Sequence, residues 1–161
     1  MNQQEEELRQ ALGKMMALCA RREYASGDLV EKLRKMQLEE SGIAWVMEQL
    51  QREKYQDDLR YAVAFSRDKS RLSGWGERKI AYALRQKGVS EEVVRQAWSE
   101  VDRREADRKM EAVFAAKVQA LQRKAVDDET IFLRLLAYAR QKGYTWEQVR
   151  QYWKNNKTKE R

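Results

Sequence analysis

Between Glu91 and Val101 the apolar residues fall into two adjacent helical rows. Val93, Ala97 and Val101 stand at i, i+4 and i+8, with Val94 and Trp98 beside them. This is the stripe of an amphipathic helix with one face turned to a core. A related arrangement occurs three times along the chain. The run Leu33-Arg34-Lys35-Met36-Gln37-Leu38 is followed by Ile43, Val46 and Leu50. It returns as Leu84-Arg85-Gln86-Lys87-Gly88-Val89 with Val94, Ala97 and Val101, and again as Ala139-Arg140-Gln141-Lys142-Gly143-Tyr144 with Val149 and Tyr152. Leu29, Ile80 and Leu135 superpose one turn earlier. Each unit therefore reads as a helix, a tight turn and a second helix, with a further helix in front.

Local chemistry marks the turns. Gly88 and Gly143 sit just past a helix end, where a left-handed residue is wanted. Ser90 and Thr145 follow two residues later as N-caps, and Thr145 with Gln148 forms a capping box. In the first unit Gln37 replaces the glycine and Ser41 is the expected cap, which predicts a looser turn there. The helices expected are 10–23, 28–36 and 42–53; 58–70, 76–87 and 91–107; 109–123, 128–142 and 146–154. The expected organisation is a flexible acidic N-terminus over 1–9 and helical repeats over 10–56, 57–108 and 109–155, followed by a polar basic tail over 156–161. The fold class is all-α: three tandem three-helix repeats. With no Gly/Ser-rich linker between them, they should stack into an elongated, straight or curved array.

Composition agrees with helix. The 161 residues include no proline and only 7 glycines, and 37% are charged, while five Trp and seven Tyr make the chain too rich for disorder. The net charge of +7 is uneven: residues 1–60 carry 10 basic and 12 acidic groups, residues 61–109 carry 12 and 8, and residues 110–161 carry 11 and 6. A basic body behind a slightly acidic first third suits a polyanionic partner, or simply a soluble protein of basic bias. One cysteine, Cys19, excludes an internal disulfide and fits a reducing compartment. The polar, acidic start MNQQEEELRQ is no signal peptide, and the apolar run Met15–Ala20 is far too short to span a membrane. The expectation is a cytoplasmic monomer.

Residues 54–90 are the most distinctive: KYQDDLRYAVAFSRDKSRLSGWGERKIAYALRQKGVS. Asp57 is the expected N-cap of a helix carrying Tyr61, Ala62, Phe65 and Leu72 on one face. Gly74-Trp75-Gly76 breaks the chain before Ile80 and Leu84. The order Asp57, Asp58, Arg60, Tyr61, Ala62, Phe65, Arg71, Gly76, Lys79, Ile80, Leu84, Lys87, Gly88, Val89, Ser90 resembles the signature of the RecX family, and about 140 residues are covered more loosely. The resemblance implies tandem three-helix repeats. It also implies a non-enzymatic regulator that lodges on the filament of the RecA recombinase with DNA and inhibits it in DNA repair and recombination.

Arg67, Lys69, Arg71, Arg78 and Lys79 straddle the central turn, opposed within 67–79 only by Asp68 and Glu77. Several cations can converge there on phosphate or carboxylate groups; a solvated helix face is the alternative. Arg85, Lys87, Arg140 and Lys142 recur at equivalent repeat positions and extend the stripe, with Arg34 and Lys35 as a weaker continuation. Trp75 is either a contact anchor or a plug at a repeat junction, whereas Trp45, Trp98, Trp146 and Trp153 read as packing residues. Asp57-Asp58 and Asp127-Asp128-Glu129 stand where helices begin, so capping explains them better than catalysis or a metal. Histidine is absent and Cys19 is single, which removes zinc sites and Ser–His or Cys–His catalysis. No cofactor is expected. A direct DNA-binding protein is the alternative function, although the helices from Glu91 and Trp146 begin with acids or apolar groups and make poor recognition helices.

Overall fold

The computed structural model describes residues 2–159. Among these residues there are nine α-helices and no strand: α1 (Gln3–Arg21), α2 (Ser26–Lys35), α3 (Glu40–Arg52), α4 (Asp58–Arg71), α5 (Glu77–Gln86), α6 (Glu91–Ser99), α7 (Arg103–Gln122), α8 (Asp128–Lys142) and α9 (Trp146–Lys159). They follow one another as three three-helix repeats. None of them is long and apolar enough to cross a membrane.

Several boundaries differ from the sequence reading, each for a local reason. The segment 1–9 is expected to be flexible, yet α1 begins at Gln3, and the Asn2 side chain accepts a hydrogen bond from the Glu5 backbone N–H at 2.8 Å. The helix expected over 91–107 stops at Ser99. Asp102 interrupts it and caps the next helix by accepting from the N–H groups of Arg104 and Glu105. The expected tail over 156–161 is helical as far as Lys159, and its last two residues lie outside the described ones. Ser41 is not the cap of α3, whose N-cap is Glu39 without a side-chain bond. Leu72 lies beyond the end of α4 and is 68% exposed, so it does not share the inner face of Ala62.

The chain divides into two compact units. One comprises the residues up to Ala64 together with Ala83–Ala97, the other Phe65–Tyr82 together with the residues from Trp98 on. The division passes through α4 and α5, inside the middle repeat. In the first unit α1 and α2 pack on α3, and Ala11, Met15, Leu29, Leu33, Ile43, Val46 and Leu50 form the core. In the second, α7, α8 and α9 pack pairwise, and Phe114 is wholly buried with Tyr144 and Tyr152 edge-on at 5.2 and 5.4 Å.

The same joint recurs in both units. A Lys-Gly turn presses against the start of an earlier helix so closely that only glycine fits there. In the first unit the Gly27 N–H donates to the Lys87 carbonyl at 3.1 Å, and a β carbon on Gly27 would overlap that carbonyl. In the second, the Gly76 N–H donates to the Lys142 carbonyl at 2.8 Å and the Arg78 N–H to the Gly143 carbonyl at 3.3 Å. Gly88 and Gly143 take φ of +85° and +99°, as their helix-end positions predict.

The Gln37 turn keeps the left-handed geometry, with φ of +63°, and the Gln37 N–H donates to the Arg34 carbonyl at 2.9 Å, as Gly88 does to Arg85. It is therefore not looser than its counterparts. Gln37 is exposed, so no close backbone approach demands glycine there.

Tyr144 completes the second joint by donating from its hydroxyl to the Gly74 carbonyl at 2.8 Å. Burial, with a smaller contribution from Tyr138, pushes its pKa up to about 12. The unfolded phenol ionises near pH 10. The stability this group contributes is therefore present below pH ~10 and lost as pH rises towards ~12, by up to about 2 kcal/mol. Urea midpoints at neutral and strongly alkaline pH should fall more for the wild type than for Tyr144→Phe; equal slopes would contradict this assignment.

Candidate functional site

The chain between α4 and α5, Leu72–Gly76, is held on nearly every side. Gly74 turns it at φ of +67°. The Trp75 N–H donates to the Lys69 carbonyl at 3.0 Å, and the Lys142 ammonium donates to the Ser73 carbonyl at 3.2 Å. With the Tyr144 and Gly76 bonds already described, the loop becomes a rigid mount for Trp75.

Trp75 is half-buried. One edge packs on Phe65 in a T-shaped contact at 6.3 Å, while the ammonium groups of Lys69 and Lys79 lie 4.7 and 4.3 Å from its ring centre. Each contact is attractive, because an ammonium sits in the negative field of the ring. Together they hold two like charges around one indole. Arg67, Arg71 and Arg78 are exposed on the flanking helices. Arg67 donates to the Glu100 carbonyl at 3.4 Å, and Arg71 lies 3.9 Å from Asp68, a separation that contributes little at an exposed position. The patch can hold phosphate or carboxylate groups, with lysines as point charges and arginines as forks.

The proposed extension of the stripe fares differently. Arg85 and Lys87 belong to the first unit and are spent on structure. Arg85 pairs with Glu91 as Arg34 pairs with Glu40. Lys87 is 3.2 Å from Asp28 across the first joint. Burial works against the charge of Lys87, but its hydrogen bonds to Asp28 and Tyr61 outweigh this and hold its pKa above the ordinary lysine value. Lys142 serves the second joint. Arg140 is exposed and has no ion pair among the described residues, because Trp146 stands where the other repeats carry Glu40 and Glu91.

The tryptophans divide as well. Trp153 packs edge-on against Phe132 at 5.5 Å, whereas Trp45 and Trp146 are 38% and 47% exposed and so are not simple packing residues. Arg150 lies 5.3 Å above the Trp146 ring.

Lys109 and Lys117 are not among the cations that the repeat and the central turn single out. With Lys142, Tyr138 and Ser73 they line an open groove of about 500 Å³ between α7 and α8. Their eight-residue spacing around Ala112 and Ala116 was the available signal. Among the described residues no cluster of three or more His, Cys, Asp or Glu could hold a metal.

The paired acids of the signature are structural. Asp57 caps α4 by accepting from the Arg60 N–H at 3.1 Å. Asp58 accepts from the Ser26 N–H at 2.8 Å and the Ser26 hydroxyl at 2.7 Å. Arg60 donates to Glu23 at 2.6 Å and to the carbonyls of Lys54 and Tyr55.

The profile of the family described as RecX, second three-helix domain, matches residues 57–97. The regulatory protein RecX of Clostridium tetani is 28% identical over 120 residues, covering 74% of this chain and 55% of that protein. The regulatory protein RecX of Vibrio parahaemolyticus is 28% identical over 139 residues, covering 82% of each chain. The chain thus spans little more than half the length of the clostridial relative. The crystal structure of RecX from Lactobacillus salivarius superposes with a TM-score of 0.82 at 14% identity, covering 94% of this chain and 97% of that one, a likeness of fold.

Proposed function

Since this chain belongs to the RecX family, we propose that it is a cytoplasmic regulator that binds the RecA–DNA filament and restrains its recombinase and ATPase activities, acting by binding rather than by catalysis. The observation that carries this reading to particular residues is the pair Lys69 and Lys79 on Trp75, on a loop locked by the second joint. Arg67, Arg71 and Arg78 widen that positive surface. A rigid cationic patch with an aromatic centre suits an anionic groove, because the side chains are already ordered before contact. The mechanism is steric: the protein bridges filament subunits, and several modest contacts on one chain reinforce each other. Affinity then falls as salt rises.

The test is titration of the protein into RecA assembled on single-stranded DNA while ATP hydrolysis is followed. Sub-stoichiometric inhibition is expected. The variant Arg67→Glu/Lys69→Glu/Arg71→Glu should need about tenfold more protein for the same effect, a loss of about 1.4 kcal/mol. Lack of inhibition by the wild type, with tight binding of bare DNA, would replace this reading by direct DNA binding. The exposed Trp146 with Arg150 on its ring, and Arg140 without an ion pair among the described residues, favour that second reading, since aromatic and arginine faces stack on bases.

A further inference from the structure

We propose that the groove between α7 and α8 is a docking site for an acidic helical segment of a protein partner, distinct from the Trp75 patch. Three lysines reach the groove from two helices: Lys109 and Lys117 from α7 and Lys142 from α8. None of them makes an ion pair among the described residues, and each is half-buried, so the stems are already ordered against the wall. Lys117 and Lys142 share the Tyr138 ring, at 4.8 and 5.9 Å. The site therefore concentrates positive charge without an ion-pair partner among the described residues.

The shape selects among anions. Lys109 and Lys117 are two helical turns apart, about 12 Å along α7. Carboxylates two turns apart on an incoming helix meet both. Along the floor, Ala112 and Ala116 stand between the two lysines and Ala120 just past them, all exposed and ending at the β carbon, with half-buried Val113 as the one larger side chain beside them. A second helix can approach such a floor to the usual packing distance of about 8 Å. A phosphodiester chain gains nothing from it, because the floor offers no hydrogen-bond donor. The rim has no arginine fork to grip a phosphate. An acidic amphipathic helix satisfies both the charge and the floor.

The proposal rests on the filament reading for the assembly that presents the helix. The experiment uses the full chain with RecA assembled on oligo(dT). Ala116→Cys in a Cys19→Ser background is labelled with benzophenone maleimide and irradiated in the complex. The expected product is a crosslink to an acidic helical segment of the protein filament. Ala116→Trp, at an exposed helical position, should keep wild-type helicity and weaken co-sedimentation at least tenfold. Crosslinks to the oligonucleotide, or wild-type co-sedimentation of Ala116→Trp, would overturn the groove assignment while leaving the filament reading intact. A wild-type protein that does not co-sediment at all would remove both.

Discussion

Gly143→Ala should destabilise the protein by about 3–5 kcal/mol, lowering Tm by roughly 10 °C in a thermal or urea melt. Two penalties combine. The residue sits at φ of +99°, where a β carbon costs about 1–2 kcal/mol. That carbon would also lie 2.6 Å from the Lys79 backbone nitrogen and 3.0 Å from the Gly76 carbonyl oxygen, so the loop carrying Trp75 would have to shift. The cost therefore exceeds that of an ordinary overpacked core position, about 1–3 kcal/mol. The counterpart in the first repeat supplies the control. Gln37 already occupies left-handed space at an exposed position, so Gln37→Gly should be neutral or gain up to about 1 kcal/mol. A loss of less than about 1 kcal/mol in Gly143→Ala would mean that the second joint is not as tight as described.

Asp58→Ala should cost about 3 kcal/mol, against about 1 kcal/mol for Asp57→Ala next to it. Asp57 is an exposed cap with one backbone partner. Asp58 is half-buried and holds three donors: the Ser26 N–H, the Ser26 hydroxyl and the Gln56 amide nitrogen at 2.8 Å. Gln56 is only 2% exposed and also donates to the Tyr24 carbonyl, so removal of Asp58 strands donors that water reaches poorly. Denaturant midpoints of the two single variants measure the difference directly. Equal losses would show that both acids act only as caps.

The nine helices, the Gly88 and Gly143 turns and the caps at Asp57, Ser90, Asp127 and Thr145 were legible in the sequence. Each depends on residues within about five positions of one another, through helical periodicity, side-chain capping or a left-handed φ. The triple repeat was legible for the same reason, and Leu29, Ile80 and Leu135 are all buried as its register predicts. The fate of each cation was not. Lys87 and Lys142 hold equivalent repeat positions, yet Lys87 is bound to the Asp28 carboxylate, 59 positions away, and Lys142 to the Ser73 carbonyl, 69 positions away. Nor does local pattern distinguish Asp57 from Asp58, or bring Lys109, Lys117 and Lys142 to one groove. Those outcomes depend on which distant backbone a Lys-Gly turn presses against. Only the folded chain decides that, because packing acts between groups that the sequence keeps far apart.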